Sequence, residues 1–153
     1  MKKFVAVLLA AMLCLSFAAC GGDKATDKTV DAAAMFQALL TDVTYTDNAT
    51  ELDSSMAGVL LGGELPDGTE AYLAANDSAY LRCAVFACKD KDSAAAVKKL
   101  IQTYIDDSID AKYNVDEVAL LQNAKIHSMG SYVAVAVTSD TDNVNKVIDQ
   151  YFA

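Results

Sequence analysis

Between residues 31 and 153 the spacing of apolar positions changes several times, and each change marks an element. Ala32, Met35, Phe36, Leu39 and Leu40 fall at the i, i+3, i+4, i+7, i+8 spacing of one helix face, and Asp31 stands where an N-cap side chain belongs. Residues 41–50 are polar but place Val43 and Tyr45 at alternate positions, which fits a short edge strand or an irregular link. Asp53 could cap a second helix carrying Met56, Val59 and Leu60, with Gly62-Gly63 as its stop. The one proline lies in Glu64-Leu65-Pro66-Asp67-Gly68, a turn signal.

From Tyr80 to Lys89 one alternating set is Leu81, Cys83, Val85, Ala87 and the other Tyr80, Arg82, Ala84, Phe86, Cys88. Both sets are largely apolar, which predicts a central strand. Asp92 would cap the next helix, whose stripe is Val97, Leu100, Ile101, Tyr104 and Ile105. Val115–Leu121 reads as one more short helix. Ala124–Ser128 and Ser131–Ser139 read as strands of a hairpin turning near Met129-Gly130, and Val144, Ile148, Tyr151 and Phe152 mark a closing helix after Asp142. The expected fold is α+β: a single small domain over residues 31–153, with one antiparallel sheet of three to four strands and helices packed mainly on one face.

The N-terminus follows a different logic. Lys2 and Lys3 precede an uncharged run from Phe4 to Ala19, the layout of an export signal. Even extended through Gly22, that run sits at the lower edge of the roughly 20 residues a membrane-spanning helix needs. Its end, Phe17-Ala18-Ala19-Cys20, resembles a bacterial lipobox, with Phe17 where Leu is usual. The resemblance implies a signal peptide over residues 1–19, cleavage before Cys20, thioether attachment of diacylglycerol to Cys20, and display on the extracytoplasmic face of the cell membrane. A plain secretory cut after Ala19 is the alternative. Residues 20–30 begin Gly-Gly-Asp-Lys-Ala-Thr-Asp-Lys-Thr and read as a flexible tether. About ten such residues reach some 17 Å on average, so the domain would work close to the membrane.

Charge narrows the partners. The chain carries 12 Lys+Arg against 21 Asp+Glu, a formal charge of −9. Removing residues 1–19 takes away Lys2 and Lys3 and no acid, leaving 10 against 21, or −11. Nucleic acid is excluded as a partner, because polyanion binding needs a basic stripe and the nearest approach, Lys89-Asp90-Lys91-Asp92, is half acidic. Of four cysteines, Cys14 belongs to the signal and Cys20 to the lipid site, so Cys83 and Cys88 remain. Five apart on one strand, they point to opposite faces and cannot bridge each other. With His127 the only histidine and no Cys-x-x-Cys spacing, no metal or redox site is assigned.

The order of a strand "AYLRCAVFACKD", a long helix, "NAKIHSMGSYVAVAV" and a terminal helix ending "DQYF", behind the lipobox, resembles a family of Gram-positive surface lipoproteins known only as a domain of unknown function. The likeness covers roughly residues 36–152. Its most specific part, Ala124-x-Ile-x-x-x-Gly-x-Tyr-Val, is a hairpin signature, and the family has an acidic residue near the position of Arg82. The resemblance implies location and fold, and carries over no catalytic residue.

Chemistry is sparse. His127 shares a strand face with Lys125, opposite Ile126, and is expected to face water. There is no Gly-x-Ser-x-Gly elbow. Asp106, Asp107 and Asp110 gather near a helix C-terminus, and Asp140-Thr141-Asp142-Asn143 lacks the later ligands of a calcium loop and reads as a turn and cap. Gly58, Gly62 and Gly63 follow no strand and form no phosphate loop. Of seven tyrosines, Tyr104, Tyr132 and Tyr151 fall on core stripes, while Tyr72, Tyr80 and Tyr113 are candidates for a contact surface. The expectation is therefore a lipid-anchored, non-catalytic binding module: its partners are the membrane through Cys20 and an unknown protein or cell-envelope component, with no cofactor. The alternative is a small surface hydrolase or metal-dependent enzyme, which a pocket lined by two or more buried carboxylates would favour. A solute-binding receptor is disfavoured, because one domain of this length leaves no second lobe to close over a ligand.

Overall fold

The computed structural model describes residues 28–111 and 114–153; the expected signal peptide, Cys20, most of the tether and Tyr113 lie outside the described residues. The apolar stripe after Asp31 forms α1 (Ala32–Asp42), and the Asp31 carboxylate accepts from the Ala34 N–H at 2.9 Å as the N-cap. Then come β1 (Thr50–Leu52), α2 (Met56–Leu61), β2 (Glu70–Ala75), β3 (Leu81–Ala87), α3 (Lys91–Ala111), α4 (Val115–Asn123), β4 (Lys125–Met129), β5 (Tyr132–Ala136) and α5 (Thr141–Phe152). The strands form one antiparallel sheet in the order β1-β2-β3-β5-β4, with β3 at its centre.

Both faces of that sheet are covered. Met35, Phe36 and Leu39 of α1 and Val144, Val147 and Ile148 of α5 bury one face with Cys83, Val85, Ala134 and Ala136. Val97, Ile101 and Ile105 of α3, with Ala57, Leu61 and Leu121 from α2 and α4, bury the other with Leu73, Phe86, Val133 and Val135. This corrects two expectations: the sheet has five strands rather than three to four, and the helices lie on both faces rather than mainly on one. The run of buried residues along β3 and β5 is the direct consequence, since a strand between two helical layers needs apolar side chains on both sides. Val30, placed in the tether by its polar neighbours, is buried against α1 and belongs to the folded part.

β2 escaped the periodicity because Ala71, Ala74 and Ala75 supply half of its residues, and alanine is depleted in strands. Two caps also move. The Asp53 carboxylate accepts from the N–H and hydroxyl of Ser55, which is the N-cap of α2. At α3 the capping carboxylate is Asp90, accepting from the Ser93 N–H at 2.7 Å, rather than Asp92. At α5 the N-cap is Asp140, within the segment expected to be turn and cap. The expected stop of α2 is present, with Gly62 left-handed at φ +73°.

Two tight turns set the register. Gly130, at φ +57°, is the first of the two loop residues between β4 and β5, where a hairpin needs positive φ. Between β2 and β3, the Asn76 N–H donates to the Tyr80 carbonyl, the Ala79 N–H donates to the Asn76 carbonyl, and the Asn76 side-chain oxygen accepts from the N–H groups of Ser78 and Tyr80. Such a three-residue loop ends on a left-handed residue, usually glycine. Here it is Ala79 at φ +62°, the only non-glycine residue with positive φ among the described residues. Ala79→Gly should therefore stabilise the domain by about 1 kcal/mol. Urea denaturation checks this, and an unchanged or lowered midpoint would show that Ala79 is not strained.

Candidate functional site

Ala74 pairs with Cys83 but Ala75 pairs with Leu81, so Arg82 is an extra residue in β3, a β-bulge. The bulge breaks the alternation expected for the strand. Leu81 joins Ala84 and Phe86 on the α3 face instead of Cys83 and Val85 on the α1 face. It also re-aims Arg82, whose side chain is only 1% exposed.

Every N–H of this buried guanidinium is used. Nε and Nη2 donate to the two Asp47 carboxylate oxygens at 2.6 and 2.8 Å. Nη1 and Nη2 donate to the two Glu117 oxygens, both at 2.8 Å, and Nη1 also reaches the Leu81 carbonyl at 3.2 Å. Two bidentate carboxylate forks on one guanidinium give strong, directional hydrogen bonds that offset the cost of burying the charge. Asp47 comes from the loop after α1, and Glu117 from α4. Hydrogen bonds from Arg82 hold the Asp47 carboxyl at about 2; desolvation opposes them and the Asn76 amide, at 2.6 Å, reinforces them. Chemically this is a clasp. The buried carboxylate of Glu117 has both oxygens on Arg82, so it offers no acid–base pair for hydrolysis.

The clasp has a hydroxyl girdle. The Tyr104 hydroxyl accepts from the Leu81 N–H at 3.0 Å, and the Tyr45 hydroxyl donates to the Leu39 carbonyl at 3.0 Å. Burial raises the Tyr45 phenol far above its ordinary range. Nearby, Asp140 accepts from the Thr44 N–H, and the Thr138 hydroxyl donates to the Thr44 carbonyl, so the loop after α1 is fastened at both Thr44 and Asp47.

His127 corrects an expectation. It shares a face with Lys125 as predicted, but α5 covers that face, leaving the imidazole half-buried rather than facing water. Its Nε2 is buried without a hydrogen-bond partner among the described residues, beside a void of about 10 Å³ lined by Thr138, Thr141 and Asn145. Burial lowers its pKa below 6.5, Lys125 lowers it further, and Asp149 opposes both. Cys83 and Cys88 are free thiols on opposite faces, as the spacing required. Burial pushes the Cys83 thiol up to about 11, which leaves it un-ionised and unreactive. Asp140 serves as turn and cap, also accepting from the Asn143 amide. Asp106 accepts from Gln102. Among the described residues no group of three or more His, Cys, Asp or Glu is placed to hold a metal ion.

The open surface is elsewhere. A cavity of about 500 Å³ lies between α2, Leu52 and the β2–β3 loop, and one of about 290 Å³ lies between α2, Tyr80 and Tyr104. They share Leu60 and Ala79, so they adjoin as a paired groove beside α2. Met56 and Val59 stand at its edge, 43% and 74% exposed. Of the tyrosines proposed for contact, Tyr80 lines this groove, while the ring of Tyr72 lies tilted beside Phe36 with centroids 6.2 Å apart.

Neither Asp47 nor the groove was visible in the sequence. Glu117 left a trace: it lies four residues before Leu121, on the apolar stripe of α4, where a carboxylate must find a partner.

A domain of unknown function (DUF4358) is found at residues 66–138. The match takes in β2, β3, α3, α4, β4 and β5, and with them Arg82, Glu117, Tyr80 and Asp107; α1, Asp47, α2 and α5 lie outside it. No curated protein and no solved structure matches the chain. Among the described residues no helix is long and apolar enough to cross a membrane.

Arg82→Met leaves Glu117 buried and unpaired, and should cost about 3–5 kcal/mol in denaturant unfolding. Arg82→Met combined with Glu117→Leu should recover most of that loss. A double variant no better than the single one would show that the clasp does not act as a unit. The titration of stability with pH should show two acid-side losses. Because folding lowers the His127 pKa, stability is full above about 6.5 and falls as pH drops below it, a slope that His127→Gln removes. Because folding lowers Asp47 from 3.8 to about 2, a second loss runs from about pH 4 down to about 2, and Asp47→Asn removes it.

Proposed function

We propose that this chain is exported, lipidated on Cys20 and held on the extracytoplasmic face of the cell membrane as a Gram-positive type of lipoprotein, where its α+β domain serves as a non-catalytic binding module for a protein or envelope component. Support for the anchor lies in the chain itself: the charged Lys2-Lys3 start, the uncharged run to Ala19 and the small residues before Cys20. Two acyl chains hold a protein to a bilayer where one would release it, so the folded part need supply no membrane affinity of its own.

The observation that carries the binding reading is the contrast between interior and surface. Of the ionisable and nucleophilic groups that the fold buries, Arg82 and Glu117 are tied into the clasp and Cys83 is a raised-pKa thiol, while the unpartnered His127 Nε2 opens only onto a void of about 10 Å³. The open groove beside α2 is instead apolar and flanked by exposed Met56 and Val59, the composition of a contact surface.

Cys20→Ala should abolish incorporation of labelled palmitate and move the protein from the membrane fraction to the medium. A variant that remained fully membrane-bound after signal removal would overturn the anchor. Crosslinking on intact cells should then recover a reproducible, near-stoichiometric partner from the wild type that the Cys20→Ala form loses. Recovery of none would overturn the binding-module reading.

A further inference from the structure

α2 is apolar all round: Met-Ala-Gly-Val-Leu-Leu contains no polar residue. A helix of that composition is ordinarily buried on every side. Here Ala57 and Leu61 point into the core while Met56 and Val59 face solvent, and the half-buried Leu60 lines both cavities. Ala57 and Leu61, with Leu60 in part, pack α2 on the core, so Met56 and Val59 have no partner within the described residues. Opposite it, the β2–β3 loop is a stiff wall, with four hydrogen bonds closing Asn76 to Tyr80 and Ala79 held at positive φ. Non-glycine residues persist in that region where the surroundings over-determine them.

Charge selects the occupant. Among the described residues, the charged ones lining the groove are Asp77 at the loop, in one cavity, and Asp107 on α3, in the other, and none is a lysine or arginine. A second copy of the chain would set these acids against their own kind at a net charge of −9. An anionic bilayer would be repelled in the same way. What fits both the apolar lining and the two acids is a segment with apolar side chains along one face and basic ones beside them. Resting on the binding-module reading, we propose that this groove docks a cationic amphipathic segment of a partner protein, with its apolar face on Met56, Val59 and Leu60 and its basic side chains over Asp77 and Asp107.

The test is titration of the full chain with a synthetic amphipathic Leu/Lys peptide and with a Leu/Glu peptide of the same apolar spacing. The Leu/Lys peptide should bind, weaken with salt, and shift the amide resonances of α2 and of residues 76–80. Met56→Lys combined with Val59→Lys changes two exposed positions, with folding confirmed by circular dichroism, and should weaken binding at least about tenfold. Asp77→Asn with Asp107→Asn should lower affinity several-fold and flatten the salt dependence, whereas Asp142→Asn with Asp149→Asn on α5 should leave it unchanged. Equal binding of the Leu/Glu peptide, or full binding by the lysine variant, would overturn the inference. So would a dimer, or adhesion to phosphatidylglycerol vesicles, lost in the lysine variant, since either would give the groove another occupant. Intact-cell crosslinking separates the two levels. A partner kept by the lysine variant sinks the groove and leaves the module; no partner for the wild type sinks the module, while the peptide titration still decides the groove.

Discussion

A buried guanidinium holds this domain's parts in register. Arg82 lies in the central strand, yet its side chain leaves the sheet because a bulge gives β3 one residue more than β2 opposite it. From there it gathers a carboxylate from the loop after α1 and one from α4, elements that the chain otherwise joins through the opposite faces of the sheet. The geometry is unforgiving. Five N–H donors meet five oxygens, so neither the loop nor α4 can move without leaving a desolvated charge behind.

The two helical layers explain why so little polar chemistry survives inside. A five-stranded sheet covered on both faces makes its central strands largely apolar, and the side chains that β3 and β5 contribute are alanine, valine, leucine, phenylalanine and cysteine, with Arg82 and the edge residue Tyr132 the exceptions. Under such cover a thiol stays protonated and the pKa of an imidazole is lowered. Open apolar surface is then left to the periphery. The least committed peripheral element is α2, a helix of six residues that buries Ala57 and Leu61, packs Leu60 partly on the core and leaves Met56 and Val59 exposed.

The DUF4358 match over residues 66–138 divides the site unevenly. It includes Arg82, Glu117, the β2–β3 loop and Asp107, but Asp47 and the exposed face of α2 lie N-terminal to it. Half of the clasp and half of the groove are therefore supplied by the segment before the match, and they reach the rest of the domain through β1 pairing on β2 and through α1 packing on β3.

Local periodicity was enough to locate α1, α3, β3, the β4–β5 hairpin and α5, because each presents a long apolar stripe or alternation whose period is set by backbone geometry alone. It also placed Cys83 and Cys88 on opposite faces and put the turn at Gly130. It missed β2, where alanine carries no strand signal. It assigned Leu81 to the wrong face, because a bulge is a property of two paired strands and not of one. The exposure of His127 depended on whether α5 crosses β4, and the pairing of Arg82 with Asp47 and Glu117 spans 35 residues in either direction. Side-chain type and spacing act along the chain and are written in it. Burial, ion pairing and the open groove depend on distances that exist only once remote segments have packed, so the tertiary structure alone decided them.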